Sequence, residues 1–289
     1  MPFTIKKFLD HGTENPIVAR LALQTVQILR QCNITKEFRD TVGELYLNSL
    51  QRKLLRCWEI EQRFLEEFNA AVAAYEPPGA RRQLIDIPQV GRLEEECHNF
   101  VYEAKNYIRD VLKVVNLLYG TTFKEASEFS RGKKGGLTLV DWASKTFGGE
   151  DPRTNSLRGT VATVEKLVGA RNAVEHPGGY SGILLIENFT LGVDGRLREP
   201  VWHREREGEE VDAPSSIRLD MDAAVRNLLL LGEEVVVLWA EDHFREAALM
   251  RVAGVPPKQR DPKCPVKYVV TVSEEFARRI AERGESEES

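Results

Sequence analysis

Two long stretches of this chain are almost free of helix breakers, and that limits the folds open to it more than any other feature. From about Lys36 to Tyr75 there is no proline and one glycine, Gly43. Apolar residues recur there at Val42, Leu45, Leu50, Leu54, Leu55, Trp58, Phe64, Leu65, Phe68 and Val72, close to helical spacing. Glu76-Pro77-Pro78-Gly79 ends the run. From about Val90 to Tyr119 a second stripe runs through Leu93, Cys97, Phe100, Val101, Ala104, Ile108, Val111, Leu112, Val115 and Leu118, with Gly120 as a natural stop. Two such helices bury their stripes by lying lengthwise as antiparallel neighbours, the germ of a bundle.

Shorter helical pieces surround them. Asn15-Pro16 opens a helix carrying Ile17, Val18, Leu21, Leu23, Val26, Ile28 and Leu29. Phe123 to Phe129 and Asp141 to Phe147 read as short helices, and a third strong helix begins near Asn155-Ser156 and stops at His176-Pro177-Gly178-Gly179. The pattern then changes. Gly182 to Leu191 is apolar and β-branched, Val193-Asp194-Gly195 is a hairpin signal, Leu197 to Arg204 is a return strand, and Ser216 to Leu219 a third strand after the acidic loop Gly208 to Asp212. Helical spacing resumes from Asp222 to about Met250 and is closed by Val255-Pro256-Pro257. A strand over Val266 to Val272, a helix over Ser273 to Arg283 and an acidic tail complete the chain. The expected fold is therefore mainly α, an antiparallel helical bundle with a small antiparallel β meander (about 182–219) inserted before the last long helix. The expected domains are a helical extension over 1–36, the main helical domain over 37–250 and a C-terminal piece over 251–289.

The 289 residues are 42% hydrophobic and 29% charged, the mixture of a chain with a core. A net charge of −5 gives no global positive field, so any nucleic-acid site must rest on a local basic patch. Cys32, Cys57, Cys97 and Cys264 stand far apart with no C-x-x-C pair, which argues for free thiols rather than a disulfide framework. No basic start precedes an apolar run, and nothing approaches ~18 consecutive apolar residues, so the expectation is a cytoplasmic protein without a membrane span.

The chemistry is concentrated at the end of the third helix. Its apolar stripe passes through Leu157, Val161, Val164 and Val168, and the next positions on that face hold Arg171 and Asn172. A guanidinium and an amide there are costly unless paired or facing a polar cavity. His176 is one turn beyond Asn172, where Pro177 stops the helix. Arginine offers a fixed fork of donors for a phosphate, histidine moves protons near neutral pH, and asparagine can orient an imidazole or donate to a phosphate oxygen. No set with metal-ligand spacing lies nearby, which points to a reaction without metal or cofactor. RNA carries its own nucleophile, the 2′-hydroxyl, and needs a base, an acid and charge stabilisation at phosphorus. The plainer alternative is that Arg171 pairs with a carboxylate such as Glu103 and that His176 only caps the helix.

Arg171-Asn172-Ala173-Val174-Glu175-His176 resembles the R-x4-6-H motif of the HEPN superfamily, in which the residue after the arginine is commonly polar. The resemblance covers the motif and the preceding long helices, residues 37 to 176, together with the helix after 222. It implies a helical bundle, often dimeric, acting as a metal-independent endoribonuclease in toxin–antitoxin or phage-defence systems. On that implication Arg171 and His176 are catalytic, Asn172 supports them, and the partners are RNA, a second copy of the chain, and an antitoxin or other regulatory protein. The superfamily also has members that bind a nucleotide or a partner protein without cleaving. An exposed residue of the meander such as Trp202 would suit that second role.

Glu103 is a candidate supporting carboxylate beside the 90–119 stripe. Lys105, Arg109 and Lys113 recur at i, i+4 and, with Arg131, Lys133 and Lys134, form a candidate RNA-binding surface. The run Arg131 to Gly136 lacks the Gly-Lys-Ser/Thr of a phosphate loop and reads as a linker. His11, His98, His203 and His243 have no evident catalytic partner.

Overall fold

The long helices form where the spacing places them. The computed structural model describes residues 10–75, 87–131, 136–246 and 249–273. Asn15 caps α1 (Pro16–Val18), its Oδ1 accepting from the Ile17 N–H at 2.9 Å, and a π-helical segment Ala19–Gln24 leads into α2 (Thr25–Gln31). Thr35 caps α3 (Lys36–Leu45), which passes through a π-helical segment Tyr46–Leu50 into α4 (Gln51–Ala74). Next come α5 (Leu93–Tyr119), a 3₁₀ turn Ala126–Phe129, α6 (Leu139–Phe147) and α7 (Pro152–Glu175). Helix α7 starts three residues before Asn155, because Asp151 caps it and Pro152 occupies its first turn, a pairing pre-organised for a helix start.

The meander contains β1 (Ile183–Glu187), β2 (Thr190–Leu191), β3 (Leu197–Arg198), β4 (Val201–Arg206), β5 (Glu209–Glu210) and β6 (Ser215–Ser216). All pairings are antiparallel: β1 and β5 lie against β4, β6 also pairs with β4, and β2 pairs with β3 around the Val193-Asp194-Gly195 turn. The third strand ends sooner than expected. Ser216 Oγ accepts from the Leu219 N–H at 3.3 Å, so 217–219 already belong to α8 (Ile217–Glu241).

The far end of α8 also departs from the expectation of a helix reaching about Met250. Glu241-Asp242 puts two negative charges at the negative pole of the helix. The chain then leaves to bridge Cys32 through Phe244, with the Asn33 N–H donating to the His243 carbonyl at 2.7 Å. Residues 250–254 form β7 (Met250–Gly254), paired antiparallel with β8 (Tyr268–Val272). The expected helix over Ser273 to Arg283, and the breaker Glu76 to Gly79, lie outside the described residues.

The contacts group into two units, one of residues 1–52, 114–121 and 229–289, the other of 53–113 and 122–228. The boundaries expected at 36 and 250 both fall inside the first. In that unit Glu233 is fully buried and held by Arg20, Gln24 and Lys267, and Gln24 Oε1 accepts from the backbone of Lys267 and Tyr268 at 2.8 and 2.7 Å. Tyr46 is buried with its hydroxyl donating to the Gly232 carbonyl at 2.7 Å.

The second unit carries the meander. Phe100, Tyr107, Ile108 and Leu112 are buried along α5, and the Phe100 ring lies 6.4 Å from that of Trp202. Trp202 is 3% exposed and donates through Nε1 to Asp220 Oδ2 at 2.6 Å, which corrects the expectation that it is a surface residue. Asp220 also accepts from Lys166 Nζ at 2.6 Å and Ser215 Oγ at 2.6 Å, tying α7, β6 and α8 into one polar junction. All four cysteines are free thiols, with Cys32, Cys57 and Cys97 buried.

Candidate active site

The last turn of α7 and the middle of α5 wall a cleft of about 510 Å³ within the second unit. Arg171, Asn172, Glu175 and His176 enter it from α7, and Lys105, Asn106 and Arg109 from α5. Glu125 and Ser127 line it beside the 3₁₀ turn, and Tyr180 and Ser181 from the segment after α7. Helical geometry accounts for both walls: Arg171 and Glu175, Asn172 and His176, and Lys105 and Arg109 are each four residues apart, on one face.

Arg171, Glu175, Asn172 and Lys105 are paired two by two in the cleft. Arg171 is ion-paired with Glu175, the side chains being 17% and 33% exposed, and its guanidinium lies 5.0 Å from the Tyr102 ring. Glu103, considered as its partner, does not line the cleft, and its carboxylate acts instead on the Cys57 thiol, which burial first and that carboxylate second push upward. The Asn172 carbonyl oxygen accepts from Lys105 Nζ at 2.8 Å, so the asparagine is oriented by a lysine rather than by the imidazole. Its amide N–H groups are left for the cleft. His176 closes α7 through its backbone, its N–H donating to the Asn172 carbonyl at 2.9 Å, while its side chain is 73% exposed with Nε2 3.6 Å from Glu175 Oε2.

Lys105 is held down to about 8, by burial first and then by repulsion from Arg171 and Arg109, against the pull of Glu125. Three cationic side chains thus face the cleft, Lys105 and Arg109 from α5 and Arg171 from α7, beside the carboxylates of Glu125 and Glu175. Binding of inorganic sulfate, an anion that does not itself titrate in this range, should weaken as pH rises through about 8, because Lys105 then sheds its charge. A competition titration on wild type and Lys105→Arg measures this, and the arginine variant should stay flat over the same window. An equal slope in both proteins would assign the titration to another group.

The remaining basic residues divide. Lys113 pairs with the buried Asp110 at 2.8 Å and Arg131 with Glu165 at 3.2 Å, and neither lines the cleft. Lys133 and Lys134 lie outside the described residues. His98 lines a separate open groove beside Glu94 and Glu95, His203 is buried on β4, and His243 stacks on Trp239 with ring centroids 4.0 Å apart. Glu125, Ser127, Tyr180 and Ser181 carried no recognisable signal in the sequence. Glu175 did, because it stands four residues after Arg171.

Among the described residues no group of three or more His, Cys, Asp or Glu side chains is arranged to hold a metal ion, and no helix is long and apolar enough to cross a membrane. Comparison with protein-family models, with curated proteins and with solved structures returns no match for this chain.

Proposed function

We propose that this chain is a metal-independent endoribonuclease of HEPN type. The observation that supports the reading is the convergence of Arg171, Asn172 and His176 with Lys105 and Arg109 on one cleft. In this scheme the exposed His176 imidazole moves the proton of the 2′-hydroxyl or of the leaving oxygen. The Arg171 fork takes the charge developing on the phosphate, Asn172 donates its amide to a phosphate oxygen, and Lys105 and Arg109 hold the backbone. A homodimer, which the HEPN resemblance implies, would bring a second copy of the pair to the substrate.

The Arg171–Glu175 pair does not stand in the way. Arginine preceding glutamate is the weaker order for an i, i+4 pair, and a carboxylate in the last turn faces the negative pole of the helix. The pair is only partly exposed, at 17% and 33%, but a phosphate brings more charge and more acceptor oxygens to the same fork. A phosphate therefore displaces Glu175 from the fork and leaves its carboxylate beside His176.

One observation favours a second reading, in which the same cleft binds a nucleotide or partner without cleaving. Arg171 is paired with Glu175 and the Asn172 carbonyl oxygen with Lys105, so the arginine fork is already occupied at rest. The deciding experiment is incubation of mixed cellular RNA with pure protein in excess chelator. The first reading expects fragments ending in cyclic phosphate, the product of attack by the 2′-hydroxyl. Intact RNA that nevertheless binds the protein would move the assignment to the second.

A further inference from the structure

The lip of the cleft carries an aromatic ring that none of the phosphate chemistry uses. Tyr180 lines the cleft and is 83% exposed, although the backbone beneath it is firmly held. The Gly178 N–H donates to the Gly182 carbonyl at 3.1 Å, the Gly182 N–H to the Gly179 carbonyl at 2.9 Å, and Arg206 Nη1 to the Tyr180 carbonyl at 3.3 Å. Gly178 and Gly182 adopt φ of +73° and +76°, and a Cβ at Gly182 would run into the Glu205 carbonyl. The turn therefore needs its glycines and is pressed against β4. The Arg206 guanidinium lies 5.8 Å from the ring centroid, and most of the ring is left to solvent.

An exposed tyrosine carried on a held turn at the rim of a cationic cleft is the arrangement that takes a nucleobase. Its phosphates meet the cations while the base stacks on the ring, and any base will do because each has a π-face. We infer that Tyr180 forms a nucleobase-stacking subsite next to the phosphate-binding wall of Lys105, Arg109 and Arg171, an inference that rests on the nucleic-acid reading of the cleft. The subsite supplies affinity that charge alone does not.

The test compares a single-stranded RNA oligonucleotide of about 12 nucleotides, 2′-O-methylated so that it cannot be cleaved, with inorganic polyphosphate of equal charge, a length within the usual range of such sites. Binding is measured on wild type, Tyr180→Ala, Tyr180→Phe and Arg109→Ala, with thermal unfolding checked for each. Wild type should bind the oligonucleotide about tenfold more tightly than polyphosphate, within the range that one stacked base contributes. Tyr180→Ala should remove that preference, Tyr180→Phe should keep it, and Arg109→Ala should weaken both ligands together. Wild-type affinity for the oligonucleotide in Tyr180→Ala overturns the subsite and leaves the phosphate cleft standing. Failure of wild type to bind either ligand overturns the cleft reading and the subsite with it.

Discussion

Replacing His176 with alanine should lower RNA cleavage about 10²-fold or more while leaving the thermal unfolding transition in place. The two expectations separate because of what His176 does in the fold. Its backbone closes α7, through the Asn172 carbonyl and through its own carbonyl, which accepts from the Gly179 N–H at 3.0 Å. Alanine keeps both bonds. The side chain is 73% exposed, so little packing is lost on truncation. Arg171→Ala should bring a loss of the same order by removing the donors that meet the phosphate. Arg171→Lys should recover little, since an ammonium is a point charge without the planar fork. Initial cleavage rates and unfolding curves, measured side by side, check all three. Cleavage undiminished in either alanine variant would remove that residue from the chemistry. Unfolding of both would leave them as structural groups at a helix end.

The second large effect concerns stability. Glu233→Ala should lower the free energy of unfolding by about 3–5 kcal/mol, the scale seen when one partner of a buried ion pair is removed. Glu233 has no exposed surface, and Arg20 reaches both of its oxygens, with Nε 2.7 Å from Oε2. Gln24 Nε2 lies 3.3 Å from the same oxygen and Lys267 Nζ 3.3 Å from the other. Without the carboxylate, Arg20 loses its ion-pair partner in a poorly solvated place, while Lys267 keeps Glu234 at 3.4 Å. Glu233→Gln keeps the volume and still abandons the charge, so it should fall between alanine and wild type. Urea unfolding with an unchanged slope is the measurement, because a changed slope would signal altered compactness. A loss below about 1 kcal/mol would mean that water reaches the cations when the carboxylate is removed.

Much of the helical layout was legible in the sequence because helical periodicity is a local property. Helix α5 lies within three residues of its expected start, and α3, the π-helical segment and α4 together span the breaker-free stretch after Thr35. The Asn15-Pro16 start and the hairpin at Val193-Asp194-Gly195 follow from cap and turn chemistry confined to a few residues. Placement of Arg171, Asn172 and His176 on one cleft wall needed only the pitch of a helix and the stop at Pro177.

Other features depended on partners far along the chain. Periodicity reports which face of a helix is apolar, but not what lies opposite, so it could not bring Lys105 to Asn172 across α5 and α7, nor keep Glu103 out of the cleft lining. It read Ser216 to Leu219 as a strand because Ile217 suits one, whereas the Ser216 cap turns the chain into α8 there. It carried α8 toward Met250, whereas the bridge from Phe244 to Cys32 and the pairing of β7 with β8 draw the chain away. Trp202 is covered by Phe100 and Asp220, which come from other elements, and the exposure of Tyr180 on the cleft rim has no local signature. By itself, then, the sequence determined the helices and the line of Arg171, Asn172 and His176 along one of them, because backbone pitch and capping act over a few residues. Only the tertiary structure decided which cations, carboxylates and rings surround that line, because such contacts join segments whose spacing in sequence carries no record of their distance in space.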